Sequence, residues 1–315
     1  MKKTFVIVAA SSLVVWLSFQ FLLTAPSADS VKEVFVITRG QSVAQVAKAL
    51  QAKGFIRNDL VFKIYVQIAG LSKNIQAGDF KLSKNMSADQ VAEELTHGLV
   101  DVWVTLLEGW RVEEMAQKLH EEVGIDDEEF LKAASEGYMF PDTYLIPRTA
   151  TAEQVVRILR DNFDQKTQSL KLKLATRRLS EKDWVILASI VERESKDKGD
   201  NERKIIAGII LKRLKAGMPL EADATIQYAL GFDEREKTWW RKGLTSRDLQ
   251  IDSPYNTRQY AGLTPGPIAN PGLASLEAVV NPMETQYWFY LHDKQGNPHY
   301  ATTIDEHVAN IRRYL

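Results

Sequence analysis

At 315 residues, with 40 Lys and Arg set against 41 Asp and Glu for a formal net charge of -1, the chain carries no electrostatic footprint for nucleic acid. It contains no cysteine, which excludes structural disulfides, thiolate metal sites and cysteine nucleophiles. Its length suits one large domain or two smaller ones with real cores.

Lys2 and Lys3 precede an uncharged stretch from Thr4 to Thr24, "TFVIVAASSLVVWLSFQFLLT". That is close to the ~20 residues a helix needs to cross a bilayer, and longer than a secretory h-region of about 7–15 residues. Residues 4–24 are therefore expected to form a transmembrane anchor in the inner membrane. Residues 1–3 would stay cytoplasmic through their lysines, and the remainder would be periplasmic or otherwise extracytoplasmic. Cleavage as a signal peptide within "APSADS" is the alternative. Residues 25–32 read as a linker.

Residues 33–100 read as a small α+β module. "EVFVITRG" alternates like a strand. "QSVAQVAKALQAKGF" places Val43, Val46, Ala47 and Leu50 on one helical face, with Gly54 as a stop. A helix in "DLVFKIYVQIAGL" follows, and "AGDFKLSKNMSADQVAEELTHG" repeats strand then helix. Residues 101–315 read as a larger α+β domain. "DVWVTLLEGWRVEEMAQKL" is a strand, a turn at Gly109 and a helix. "FPDTYLIP" is a Pro-bounded segment, and helices are expected over Ala152 to Asn162 and from just after Ser180. "ERKIIAGIILKRLKAG" puts Ile205, Ile206, Ile209 and Ile210 on one side and stops at Gly217. The turn-rich "SPYNTRQYAGLTPGPIANPG" comes next. A hairpin turning at Gln295, Gly296 and Asn297 and a terminal helix close the chain.

The chemistry points to "DWVILASIVERES". Ser180 and Asp183 have capping-box spacing, and from there Leu187, Ile190, Val191 and Glu194 fall at i, i+3, i+4 and i+7. Glu194 thus extends the apolar stripe, while Glu192 lies to its side and Arg193 opposite. A carboxyl on a buried face is desolvated and held neutral, as a general acid requires. A helix-end salt bridge is the plainer reading. In the Pro/Gly-rich loop, Tyr255, Asn256, Thr257 and Asn270 have the amides, hydroxyls and ring that suit a sugar; a purely structural connection would use the same residues. Trp239 and Trp240 offer a sugar platform or one core and one edge residue. His292, His299 and His307 match no compact metal-ligand spacing. Glu221, Asp223 and Asp252 are available as a second carboxylate for a hydrolase.

In order along the chain stand the apolar N-terminus, "LEGWRVEEMAQKL", "EGYMFPDTYLIP", "LASIVERES", "GIILKRLKAGMPLEADATIQYALG", "SPYNTRQYAGLTPGPIANPG" and "HYATTIDEHVANIRRYL". Over nearly its whole length the chain resembles the endolytic murein transglycosylases, the MltG or YceG-like family. The resemblance implies a LysM-like module in residues 33–100 and an α+β catalytic domain in 101–315. It implies cleavage of peptidoglycan glycan strands between N-acetylmuramic acid and N-acetylglucosamine, leaving a 1,6-anhydro end and terminating nascent strands, with no metal or cofactor. The second glutamate of its E-x-E motif, here Glu194, would be catalytic. Glu192, Asp223, Thr225 and Tyr228 join Tyr255, Asn256, Thr257 and Asn270 as expected substrate contacts. The implied partners are glycan strands, the inner membrane, and peptidoglycan synthases or division machinery. Asp223-Ala224-Thr225, Tyr255-Asn256-Thr257-Arg258 and Gly262-Leu263-Thr264-Pro265-Gly266 each depart from the family's usual motif by a residue. A two-carboxylate muramidase and a glycan-binding scaffold without activity are the alternatives.

Overall fold

The computed structural model describes residues 2–38, 40–97, 101–196 and 201–315, with side chains from Ser11 onward. The chain divides into two compact units, Met1–Val102 with Leu145–Thr149, and Trp103–Tyr144 with Ala150–Leu315.

The first unit holds α1 (Lys2–Leu23), β1 (Lys32–Ile37), α2 (Val43–Ala52), α3 (Asp59–Ile68), β2 (Gly78–Ser83) and α4 (Ala88–His97). β1 and β2 pair antiparallel with Phe35 opposite Phe80. Strand alternation turns Phe35 and Ile37 into the core and leaves Val34 and Val36 exposed. Ser42 and Gln45 close a capping box at the start of α2, and the Asn58 side chain caps α3. Phe55, Phe62, Leu50, Leu82 and Leu95 complete the core, which Leu23 at the end of α1 joins. Among the described residues no helix is long and apolar enough to cross a membrane. The expected span at 4–24 coincides with α1, whose side chains before Ser11 lie outside the described residues, as does the expected module end at 98–100.

The second unit takes most of β3 (Val102–Thr105), then α5 (Val112–Val123), α6 (Asp127–Ala133) and the start of β4 (Thr143–Ile146). It continues with α7 (Ala152–Arg177), α8 (Glu181–Glu194), α9 (Glu202–Lys215), α10 (Asp223–Leu230), α11 (Leu273–Val280), β5 (Phe289–His292), β6 (Pro298–Ala301) and α12 (Ile304–Tyr314). The centre is α8. Ser180 caps it by accepting from the Asp183 N–H at 3.0 Å, and every residue from Trp184 to Val191 is buried. The helix is therefore enclosed on all sides there, by α7, α9 and α11, rather than along one stripe. The Trp184 indole N–H donates to the Leu276 carbonyl of α11 at 2.8 Å. α9 buries Ile206, Ile209 and Ile210, with Ile205 only partly covered. Its Gly208 faces the Met283 carbonyl so closely that a Cβ there would clash with that oxygen. β5 and β6 form the expected hairpin, with Tyr290 opposite Tyr300. No helix or strand interrupts residues 251–272.

Candidate active site

A burial-driven helix such as α8 turns polar only where it leaves the core, and its last three residues go three ways. Glu192 turns back into the protein: its side chain is 7% exposed, 3.4 Å from Arg203, and it accepts the Gly272 N–H at 3.0 Å. Arg193 donates to the Gly109 carbonyl and lays its guanidinium 3.6 Å above the Trp240 ring. Glu194 faces a cleft of about 360 Å³.

The cleft is lined by α8, the start of α10, the irregular segment that carries Arg258, the β5 strand and α12, through Glu194, Asp223, Arg258, Tyr290, His292 and His307 among others. The Tyr290 hydroxyl donates to Glu194 Oε2 at 3.0 Å. Burial holds the Glu194 carboxyl above the usual carboxylate range, and the nearby Asp223 charge adds to this. The Tyr290 hydroxyl, the Ala224 N–H at the start of α10 and His292 pull the other way. Burial lifts the Tyr290 phenol far above its ordinary value, so it keeps its proton and can donate it to Glu194. Two guanidinium nitrogens of Arg258 hold Asp223 Oδ1, at 2.7 and 3.2 Å. Arg213 pairs with Glu221, whose backbone sits in the left-handed region at φ 55. Geometrically this is one desolvated carboxyl in a polar groove, beside two carboxyl groups, Asp223 and Glu221, that are held by Arg258 and Arg213.

Of the eight expected substrate contacts, the structure brings only Asp223 to this cleft. Glu192 is engaged as above. Thr225 and Thr257 are buried and share a hydroxyl–hydroxyl bond of 2.9 Å, and Thr257 also accepts the Ala222 N–H. They pin the loop to the start of α10. Asn256 is fully buried; its amide donates to the Leu249 and Ile251 carbonyls and accepts the Arg258 N–H. It caps its own loop, the plainer of the two readings. Asn270 is likewise buried. Its oxygen accepts the Gly137 and Met139 N–H groups, and its amide donates to the Trp110 carbonyl and to Glu136.

Tyr228 and Tyr255 pack with ring centroids 4.9 Å apart and planes tilted by 41° in a second cluster. There the Arg111 guanidinium lies 4.2 Å over Tyr228 and 4.4 Å over Trp239, while the Trp240 N–H donates to Glu114 at 2.9 Å. Glu136 lies beneath this cluster. Burial, reinforced by the charge of Glu113, pushes its carboxyl up to about 8. His299 pairs with Asp293 and stacks on Tyr314 at 3.5 Å, and His307 stacks on Phe289 at 5.2 Å. Among the remaining carboxylate candidates, Glu221 lines the cleft, while Asp252 accepts the Tyr260 hydroxyl at 2.7 Å.

Sequence reading missed Tyr290 and weighed His292 only as a metal ligand, not as a neighbour of Glu194. A signal for them existed: they stand two apart in "WFYLHD", and period-two alternation puts both on one face of a strand.

An α+β protein whose polar cleft surrounds one desolvated glutamate at a helix end is the class these features define. The YceG-like family model matches residues 35–313, and the chain belongs to that family. The endolytic murein transglycosylase of Bacillus subtilis (strain 168) is 30% identical over 93% of this chain and 88% of its own length. That of Streptococcus pneumoniae serotype 2 is 27% identical over 91% of this chain, which spans only 59% of that relative. The crystal structure of a putative yceG-like protein from Listeria monocytogenes superposes with a TM-score of 0.61 at 26% identity, covering 89% of this chain and 99% of that one.

Proposed function

We propose that the protein is a membrane-anchored endolytic lytic transglycosylase that cuts peptidoglycan glycan strands between N-acetylmuramic acid and N-acetylglucosamine. The observation that carries the reading is the Glu194 carboxyl, desolvated yet open to a cleft and held by the Tyr290 hydroxyl. The names of the B. subtilis and S. pneumoniae relatives support the substrate.

One carboxyl serves both halves of the reaction. Protonated Glu194 donates to the glycosidic oxygen as the C1–O bond breaks. The resulting carboxylate then takes the proton of the muramic acid 6-hydroxyl, whose oxygen closes on C1. The nucleophile is part of the substrate, so little entropy is lost in placing it. A glycosidase of the ordinary kind would instead use two carboxyl groups and water. Mass spectrometry of glycan digests separates the outcomes: the product end is expected one water lighter than a reducing end. Reducing ends would point to hydrolysis with Asp223 as the second group.

The uncharged run behind Lys2 and Lys3 supports the anchor, with residues 1–3 in the cytoplasm and the cleft outside the inner membrane. The order β1, α2, α3, β2 supports a LysM-like module that engages glycan or sets the height of the cleft above the membrane. Termination of nascent strands, beside peptidoglycan synthases or division machinery, belongs to the same reading. The full-length protein should remain with membranes after a carbonate wash and be digested from outside in spheroplasts. A soluble mature form starting near Ala28 would overturn the anchor.

A further inference from the structure

The acid–base chemistry leaves unused a pair beside Glu194. Glu202, in the first turn of α9, is 2% exposed, and its Oε1 lies 2.7 Å from His292 Nε2. The same oxygen accepts the Lys196 N–H at 2.9 Å. A carboxylate only accepts, so Nε2 carries the proton and the plane of the ring is set. Nδ1 has no hydrogen-bond partner among the described residues, nor is it among the buried side-chain atoms left without one. His292 lines the cleft together with Glu194 and Tyr290. Tyr290 and His292 share a face of β5, with ring centroids 6.2 Å apart and nearly perpendicular. One strand therefore delivers a donor to Glu194 and, beside it, an imidazole with one nitrogen to spare. Burying a carboxylate to hold an imidazole is a poor source of stability, since apolar replacements of buried pairs are often neutral or better. What the pair does provide is orientation.

We infer that His292 is a substrate-contacting residue: in the tautomer that donates from Nε2 to Glu202, the lone pair on Nδ1 accepts a hydrogen bond from a hydroxyl of the sugar bound next to Glu194. Glu202 is the positioning residue that acts through it. The inference rests on reading the cleft as the glycan site.

The test uses the full-length protein and uncross-linked glycan strands, with kcat, KM and melting temperature measured for each variant. Glutamine reaches the ε position and keeps a donor for Glu202 but has no acceptor at δ. His292→Gln should therefore raise KM roughly 2- to 12-fold, the effect of one hydrogen bond to a neutral group, with kcat changed less and melting unchanged. His292→Asn, whose oxygen falls near the Nδ1 position, should recover part of that loss. Glu202→Leu should raise KM in the wild-type background and add nothing in the His292→Gln background. Wild-type KM in His292→Gln overturns the inference. So does a loss of kcat/KM that tracks a fall in melting temperature. Glu194→Gln is run in parallel: if it is inactive while His292→Gln is normal, only this inference fails, and if it cuts normally the reading of the cleft fails as well.

Discussion

Glu194→Gln should bind glycan and barely cut it, with turnover lower by about 10²–10⁴-fold, the contribution of a positioned acid–base group. Glutamine keeps the shape and an oxygen for the Tyr290 hydroxyl, so the 3.0 Å contact can persist and the fold should hold. The pH dependence has a definite sign. Burial raises the Glu194 carboxyl above its unfolded value, so the folded state favours the protonated form. The donor needed for the first step is present below that raised value and is lost as pH climbs through it. The wild-type rate should thus decline on the alkaline side, at a higher pH than an ordinary carboxylate would give. Ionising a desolvated group also costs folded-state stability above the unfolded value, and glutamine removes that cost. The variant should melt no lower than wild type at neutral pH. Glu192→Gln makes the contrast: it weakens the tie to Arg203 and the Gly272 N–H, so stability should suffer more than chemistry. A Glu194→Gln protein that cuts normally, beside an inactive Glu192→Gln, would remove Glu194 from the mechanism.

Asn270→Ala should be among the most destabilising single changes in the second unit. It strands the Gly137 and Met139 N–H groups and takes one donor each from the Trp110 carbonyl, which keeps the Asn270 backbone N–H, and from the Glu136 carboxyl, which keeps the Val112 N–H. Each buried group left unpaired costs about 1–3 kcal/mol. Such losses overlap, and a total of roughly 3–5 kcal/mol corresponds to a fall in melting temperature of roughly 6–20 °C. Circular dichroism melting measures it directly. An unchanged melting point would mean that the network does not hold these segments together, and would leave Asn270 available to a ligand.

Residue type pointed to both glutamates and amides, and the outcomes differ for a physical reason. Glu194 was legible because a carboxyl at the end of an apolar run is anomalous. The stripe that singled it out is nonetheless incomplete, since α8 is enclosed on all sides from Trp184 to Val191. What distinguishes Glu194 from Glu192 is the approach of β5 and α10, which no spacing within the helix reveals. Asn256, Thr257 and Asn270 suited a sugar because amides and hydroxyls satisfy sugar hydroxyls. They satisfy backbone groups equally well, and residues 251–272 have no ladder or helix to do so. An irregular loop has to draw on its own polar side chains, and the sequence does not say which partner they take. Eight-residue helices such as α10 and α11 were not foreseen, because Ala222 and Gly272 cap them without a side-chain bond. The β5–β6 hairpin and the helix start at Ser180 were legible because turn and cap chemistry is local.

The Arg193–Trp240 stack has a mechanical implication. Arg193 and Glu194 are consecutive on the last turn of α8, so whatever steadies one limits the swing of the other. Trp240 covers the guanidinium at 3.6 Å and is itself fastened to Glu114 of α5 at 2.9 Å. A segment of the chain outside the groove thereby acts as a splint for the residue inside it. Substitutions in "EKTWWRKG" can loosen or stiffen the carboxyl's aim without altering any atom that faces the cleft, giving the protein a way to retune its reactivity from behind.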